Sequence, residues 1–284
     1  MNDIFTHFLQ GFTFLTIVYL FMYLNKFVSD LYAERKGYKT NHAIEEDSNL
    51  AVSLRRSGLY LGIAIAMMGI IIGPSAGFYH DVTTTIVYGA VISALFFVAR
   101  QVNDLFVLHG VSNTKEIFEK DNMAIGFVEA GGFISTGIIA MASMMGTGGN
   151  IATFCAFFVF GQLLLLLASH GYEKLTKWRV VEEIRKGNTS AGINLAGIMV
   201  ALSVAISGAL SRDFDGWLNS LLFVSIESAM GLAAVLAVSF LADRFYLPST
   251  DIETEVVRDK NIAAVSLVAC LQIAGAFIIS ASIT

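Results

Sequence analysis

Eight apolar stretches, each long enough to cross a lipid bilayer, most constrain what this chain can fold into. A transmembrane helix needs about 20 mostly apolar residues, and its backbone polar groups must be paired within the segment. The sequence therefore predicts an all-α integral membrane protein with eight transmembrane helices in contact with the lipid bilayer. The stretches cover about residues 8–29, 51–73, 83–107, 123–145, 150–171, 189–210, 217–242 and 262–283.

The composition agrees with this prediction and argues against several soluble classes. Only 14% of the residues are charged, whereas soluble domains carry about 25%. A net charge of −5 and the lack of basic clusters interleaved with aromatic side chains argue against nucleic-acid binding. The residues before the first stretch contain no Lys or Arg, so this stretch predicts a retained helix and not a cleaved signal peptide.

The connections between the stretches alternate between very short and long, and the long ones carry most of the charge. Of the 18 Lys and Arg residues, only Arg212 lies in a short connection. Basic residues near the ends of transmembrane helices favour the cytoplasmic side. The sequence therefore predicts that every long connection is cytoplasmic and that both termini lie on the outer side.

Four asparagines that end the long connections indicate an internal repeat. Asn122 follows Asn49 by 73 positions, and Asn261 follows Asn188 by the same 73 positions. The equal offsets predict a tandem duplication into four-helix membrane repeats at residues 1–145 and 146–284, each made of two similar helix pairs. Even helix numbers make the repeats parallel, related by an axis along the membrane normal. The four asparagines themselves are predicted to be helix N-caps, a role that Asn favours.

Small residues recur at close-packing spacing in the even-numbered stretches. In membranes, small faces let helix backbones approach each other closely. These stretches are therefore predicted to form either a tightly packed interior or a contact between copies in a homo-oligomer. The residues are Gly58, Gly62, Ala66, Gly69 and Gly73 in the second stretch, Gly126, Ala130 and Gly137 in the fourth, and Gly192, Ala196 and Gly197 in the sixth.

The segment Asn-Leu-Ala-Val-Ser-Leu-Arg-Arg-Ser-Gly at 49–58 resembles the helix-opening motif of the YjfL-like family of uncharacterised bacterial inner-membrane proteins, the domain of unknown function 350 family. The segment at 188–192 resembles it too. Members look like one half of this chain, so the resemblance implies a duplicated family domain in the bacterial inner (plasma) membrane. In such a membrane, the outer side that the basic residues predict for both termini is the periplasm. It supplies no activity, catalytic residue or cofactor. Arg55 and Arg56 depart from the small or apolar residues expected in the motif.

Six polar side chains within the stretches are predicted to share one layer in the cytoplasmic half of the bundle. Charges inside a span are costly, which makes each a candidate for function. One interpretation is structural: Glu129 pairs with Arg55 or Arg56, and Arg100 with Asp104, which fixes the helix arrangement. The other is a conduction or substrate site. The six residues are Arg55, Arg56, Arg100, Asp104, Glu129 and Asn194.

Glu227 is predicted to lie deeper than this layer. It is ten residues into the seventh stretch, about 15 Å from its start and near the bilayer midplane. No Lys or Arg in another stretch is predicted at that depth, whereas Gln162 in the fifth is. Glu227 is therefore predicted either to bind a proton or cation, or to form a neutral hydrogen bond with Gln162.

The long connection at 174–186 shows apolar residues at helical spacing with basic residues opposite. This pattern predicts a short helix that lies on the anionic cytoplasmic leaflet. A docking surface for a cytoplasmic partner is the alternative interpretation. The apolar residues are Leu175, Trp178, Val181 and Ile184, and the basic ones are Lys177, Arg179 and Arg185.

The sequence contains no pattern that indicates an enzyme. Its five His residues lack metal-ligand spacing, and neither a nucleophile–base pair nor a phosphate-binding glycine loop is evident. We therefore predict no catalytic residue, metal or cofactor. The leading functional hypothesis is a proton or small-cation channel or transporter, because of Glu227 and the polar layer. The alternative is an oligomeric membrane scaffold or envelope partner protein that transports nothing.

Overall fold

A computed structural model describes residues 2–73, 75–110, 112–247 and 249–283. Within these ranges the chain is helical, without strands, and eight helices are long and apolar enough to cross a membrane. The predicted fold class is thus confirmed. In chain order the helices are α1 (Asn2–Glu34), α2 (Thr40–Glu45), α3 (Leu50–Ile71), α4 (Phe78–Phe106), α5 (Asn113–Lys120), α6 (Met123–Met145), α7 (Ile151–Leu175), α8 (Val180–Arg185), α9 (Thr189–Leu210), α10 (Trp217–Tyr246), a π-helical turn (Thr254–Arg258) and α11 (Ile262–Ile283).

The chain consists of four successive units with one plan. Each unit has a long outer helix, a short helical segment and a central helix that begins at one of the predicted asparagines. The outer helices α1, α4, α7 and α10 are 33, 29, 25 and 30 residues long. The central helices α3, α6, α9 and α11 are 22 or 23 residues long.

The central helices form a single row in the order α3, α6, α9, α11. Backbone touches backbone at each step, so a Cβ atom added to Gly131 of α6 would lie 2.9 Å from the Cα of Ala196 in α9. Gly197 of α9 meets Ala269 of α11 in the same way. The row confirms that the even-numbered stretches pack tightly inside one chain.

The same four asparagines cap the central helices and join neighbouring units. The side-chain oxygen of Asn49 accepts a bond from Val52 N at 2.8 Å, while its amide donates to the carbonyl of Ile117 in α5 at 2.9 Å. Asn122 and Asn188 repeat both contacts one unit further on. All four caps therefore lie at one end of the bundle, which we term the cap end; the opposite end is the far end. Each asparagine oxygen thus accepts a hydrogen bond from a backbone N–H of the first helical turn, and the central helices are parallel.

A left-handed residue positions each cap. The residue before each asparagine has a positive φ: 54° at Ser48, 47° at Asp121, 81° at Gly187 and 49° at Lys260. Only the third is a glycine, for which this conformation has no steric cost. The turn that aims each asparagine at its helix is thus the same in all four units.

The outer helices pack beside this row. α4 contacts both α3 and α6, and α7 contacts both α6 and α9. The outer helices α4, α7 and α10 thus each cover the step between their own central helix and the preceding one, while α1 packs on α3 and α4. Their other faces carry large exposed apolar side chains, such as Leu167 and Phe240, each 71% exposed, which suits contact with lipid.

Candidate functional site

Five polar side chains meet near the cap end between α3, α4, α5 and α6. We term them the polar cluster: Arg55, Arg100, Asp104, Asn113 and Glu129. Arg55 Nε lies 3.6 Å from Glu129 Oε2, and Asn113 donates to Asp104 Oδ1 at 3.1 Å. Four of the five are buried, and Asp104 is half-buried. Four of these five residues were predicted from the sequence to lie in one layer. Asn113 was not predicted, because it lies in a connection between the apolar stretches.

Many polar atoms of the cluster have no hydrogen-bond partner among the described residues. They include both carboxylate oxygens of Glu129, Nη1 of Arg55, and Nε and Nη2 of Arg100. A cavity of about 20 Å³ lies beside them, enough for about one water molecule. Buried polar groups are normally satisfied, so this site has the chemistry to hold water or a proton. Both guanidiniums also lie over aromatic rings, Arg55 at 5.2 Å from the centroid of Phe118 and Arg100 at 4.9 Å from that of Tyr32.

Other residues of the predicted layer lie elsewhere. Arg56 pairs with Asp30 of α1 and not with Glu129. Asn194 accepts a hydrogen bond from the Tyr172 hydroxyl at 2.6 Å, in a separate buried contact between α7 and α9. Neighbouring positions on α3 point to different helices, because each residue turns the helix by about 100°.

The predicted ion pair between Arg100 and Asp104 is also absent, since within the described chain their charged atoms do not approach to ion-pair distance. Arg100 instead donates to Ser29 Oγ at 3.4 Å, and Asp104 accepts from Asn113. The spacing i, i+4 places both on one face, but partners on neighbouring elements hold each side chain.

Glu227 is not the unpaired carboxylate that its position predicted. It forms an ion pair with Arg212, which lies in the short connection between α9 and α10. The long side chain of an arginine extends along apolar surface. It can therefore reach a carboxylate that lies deeper in the membrane than the arginine backbone. The prediction was wrong because it considered only Lys and Arg within other helices.

The structure also does not join Glu227 to Gln162. Within the described residues, the amide nitrogen of Gln162 and Oε2 of Glu227 are both buried without a hydrogen-bond partner. The expected neutral hydrogen bond between them is therefore not formed. The ion pair with Arg212 is the contact that the structure gives this carboxylate.

A cavity of about 470 Å³ opens at the far end, between the connections that follow α6 and α9. Arg212, Asp213 and Ser143 are among its lining residues. Asp213 accepts two 2.7 Å hydrogen bonds, from the hydroxyl and from the backbone N–H of Thr147. These bonds, the hydroxyl first, lower the pKa of the Asp213 carboxyl. The far-end cavity shares no lining residue with the cavity at the polar cluster.

The segment 174–186 is not one amphipathic helix. α7 continues to Leu175, and a separate turn of helix, α8, begins at Val180. Val181 and Ile184 are buried against the bundle, so they do not face a lipid leaflet. The prediction of one short helix on the leaflet was therefore wrong, because the chain between Thr176 and Arg179 leaves the helix.

Comparison with known proteins gives the same picture of two similar halves. The model of the family described as Domain of Unknown Function (DUF350) matches residues 3–144 and again residues 147–283. The UPF0719 transmembrane protein of Aquifex aeolicus (strain VF5) is 26% identical over 265 residues, or 92% of this chain and 96% of that protein. No solved structure matches the chain.

Proposed function

We propose that this chain, which belongs to the DUF350 family of transmembrane proteins and carries the family's domain twice, is a self-assembling scaffold in a bacterial inner membrane. In this role it joins with further copies of itself and transports no solute. The long connections and the cap end face the cytoplasm, and both termini face the periplasm. The support for this orientation is that only Arg212, of 18 Lys and Arg residues, lies in a short connection.

The separation of the two polar regions carries the proposal. Glu129 at the polar cluster and Ser143 at the far-end cavity lie on the same helix, 14 positions apart, which is about 21 Å of rise. No lining residue joins the two cavities. The neighbouring central helices touch through their backbones over this length. A conduit for ions needs continuous polar lining, and this part of the described chain offers packed helices instead.

Ion flux through the purified protein tests this function. The full chain is placed in liposomes, and proton, sodium and potassium fluxes are followed under an imposed gradient and membrane potential. We expect no flux above that of empty liposomes, and a native mass in lipid above that of one chain. Flux that Glu129→Gln or Glu227→Gln abolishes overturns the proposal, and so does a strictly monomeric protein.

Proton or small-cation transport is the second candidate, favoured by one observation. The carboxylate oxygens of Glu129 and three guanidinium nitrogens of the polar cluster are buried without hydrogen-bond partners in the described chain. Ionisable groups inside a membrane often mark proton or ion pathways. If this candidate holds, the flux assay gives a signal that depends on Glu129.

The basic segment 174–186 remains a candidate docking surface for a cytoplasmic partner.

A further inference from the structure

The outward edge of α11 repeats the contact surface that joins the other central helices. In α3, the positions that touch the next helix lie 2, 9, 13 and 20 residues after Asn49. The corresponding positions of α6 and α9 are all buried. On α11 they are small residues and all exposed: Ala263, Cys270, Ala274 and Ala281. We term these four the α11 edge.

The contacts inside the chain follow one rule of register. The residue nine positions after one asparagine meets the residue eight positions after the next: Gly58 meets Ala130, and Gly131 meets Ala196. The rule holds for the third step too, where Gly197 meets Ala269. At the far end, the residue at position 20 meets the residue at position 19, as in Gly208 with Ser280. The constant register makes this interface head-to-tail, a type that generates rings or open filaments when it repeats.

Among the described residues, the last asparagine has no equivalent of the carbonyl partner that the other three have. Asn49, Asn122 and Asn188 each donate a side-chain amide bond to a carbonyl in the following unit, at 2.8 to 3.1 Å. The oxygen of Asn261 caps α11 through Ala263 N and Ala264 N. Its side chain is exposed, and no carbonyl of the described chain accepts its amide. A further unit placed after α11 by the same rule supplies such a carbonyl.

The first unit of the chain presents the complementary side. Counted from Asn49, position 8 is Ser57 and position 19 is Met68, and both are exposed on α3. The carbonyl that corresponds to Ile117, Ile184 and Val256, which accept the asparagine amides, is that of Ile44 in α2. α1 is the equivalent of α4 in the plan of the units, and α4 contacts both α3 and α6 without separating them. We therefore expect α1 to leave this side of α3 open in the same way. The two ends of the row are therefore matched in register and in hydrogen bonding. Cys270 stands where the internal steps have Gly58, Gly131 and Gly197, so this step needs a wider spacing between the helices than the internal ones.

We propose that the α11 edge binds α3 of a second copy of this chain, head to tail, with the register of the internal row. Cys270 then contacts Ser57 of the next copy, Ala281 contacts its Met68, and the Asn261 amide donates to its Ile44 carbonyl. The inference rests on the proposed scaffold function and names the surfaces through which the scaffold assembles. All copies have the same orientation, because every central helix in the row is parallel.

The native Cys270 gives a direct test in membranes. Cys155, the other cysteine, is changed to Ala, and Ser57→Cys is introduced. Cβ atoms in a disulfide lie about 3.5–4.5 Å apart, so the proposed contact is within reach of oxidation. Because each copy then carries both cysteines, mild oxidation of vesicles should give a ladder of dimers, trimers and larger species. Adding Cys270→Ala should abolish the ladder.

Leu167→Cys is the matched control. Leu167 is 71% exposed on α7 and, eight residues from the cap end of its helix, lies at nearly the depth of Cys270, nine residues from Asn261. With Cys270 retained, it should give only the low background of random collisions. A ladder from Ser57→Cys no stronger than this background overturns the head-to-tail surface. Dimers that survive Cys270→Ala also overturn it, because they show α3 meeting α3.

A blocking variant gives a readout that does not depend on cysteine chemistry. Ala274 is exposed, so Ala274→Phe should leave the unfolding temperature of the detergent-solubilised chain unchanged while it removes oligomers from native mass measurements in lipid. Oligomers that persist overturn this surface but leave the scaffold function standing. A wild-type chain that is monomeric in lipid overturns both.

Discussion

Among the described residues, Arg55 is the one that forms an ion pair with the carboxylate of Glu129. The side chains of the pair are only 4% and 6% exposed. A buried charge that loses its partner is far more costly than the loss of the whole pair. At the scale of single residues, this pair should therefore dominate the energetics of the polar cluster.

We expect Glu129→Leu to destabilise the protein by roughly 3–5 kcal/mol, because Arg55 is left buried without its ion-pair partner. The double variant Arg55→Met with Glu129→Leu should be closer to wild type than either single change. Thermal unfolding of the four proteins in detergent measures this as a double-mutant cycle. Additive losses would contradict the assignment of these two residues as a pair.

Gly131→Ala should disrupt the step between α6 and α9. The added Cβ would lie 2.9 Å from the Cα and 3.1 Å from the carbonyl oxygen of Ala196, so a helix backbone has to move. Overpacking of this kind costs about 1–3 kcal/mol. Gly171→Ala in α7 is the control, because nothing lies within 4 Å of its Cβ position; it should be neutral or slightly stabilising. Equal unfolding temperatures for the two variants would contradict the close packing of the row.

Of the contacts predicted between transmembrane helices, the pair of Arg55 with Glu129 is present. Arg55 lies six residues after Asn49 and Glu129 seven residues after Asn122, which placed the two at nearly the same depth. Asp30, the partner of Arg56, was missed because it lies just past the end of the apolar stretch. Arg212 was missed because the reach of a side chain from a connection is not visible in helical periodicity.

At the scale of helices, the asparagines provide an internal comparison. Asn188→Ala removes a cap, worth about 1 kcal/mol, and also the bond to the Val256 carbonyl, which adds about 0.5–1.5 kcal/mol. Asn261→Ala removes only a cap within one chain. Unfolding of the detergent-solubilised monomers should therefore rank Asn188→Ala as the more destabilising. The reverse order would contradict the linking role of the amide.

The connection after α6 is held to that after α9 by Asp213, and this contact should depend on pH. The pKa of the Asp213 carboxyl is lowered by the bonds from Thr147, so the contact is fully formed above the ordinary value of about 3.9. It weakens only as the pH falls through the lower, folded-state pKa. Amide hydrogen exchange at 146–150 should be slow at pH 7 and fast in Asp213→Asn at the same pH. Unchanged exchange in the variant would show that the turn holds without this carboxylate.

Apolar length was enough to predict every long helix, but not where the outer helices end. α10 was expected to finish near residue 242 and continues to Tyr246, and α4 begins at Phe78, five residues early. The central helices begin where predicted, because a capping side chain fixes each start. The outer helices extend beyond the apolar stretches because the adjoining residues of the connections, although more polar, are also helical.

At the scale of the molecule, the two halves meet through α6 and α9 and are joined by the connection between α6 and α7. Fragments 1–145 and 146–284, expressed together, should therefore associate in the membrane and co-purify. Gly131→Leu in the first fragment should prevent this, because Gly131 lies against Ala196 of the second. Co-purification that survives this change would place the main contact between the halves elsewhere.

The duplication was predictable from the asparagine offsets, whereas the single row was not, since spacing along the chain does not say which helices become neighbours.

Because the same left-handed turn precedes each asparagine, a protein of this kind can be lengthened by duplication only in whole pairs of helices. The turn at Ser48, Asp121, Gly187 and Lys260 sends each central helix in the same direction. A gene that gains one more copy of a pair therefore widens its product by one central helix and reverses neither terminus. Insertion of a single helix would point all later caps to the opposite face of the bilayer, so duplication in pairs is the evolutionary path that this geometry leaves open.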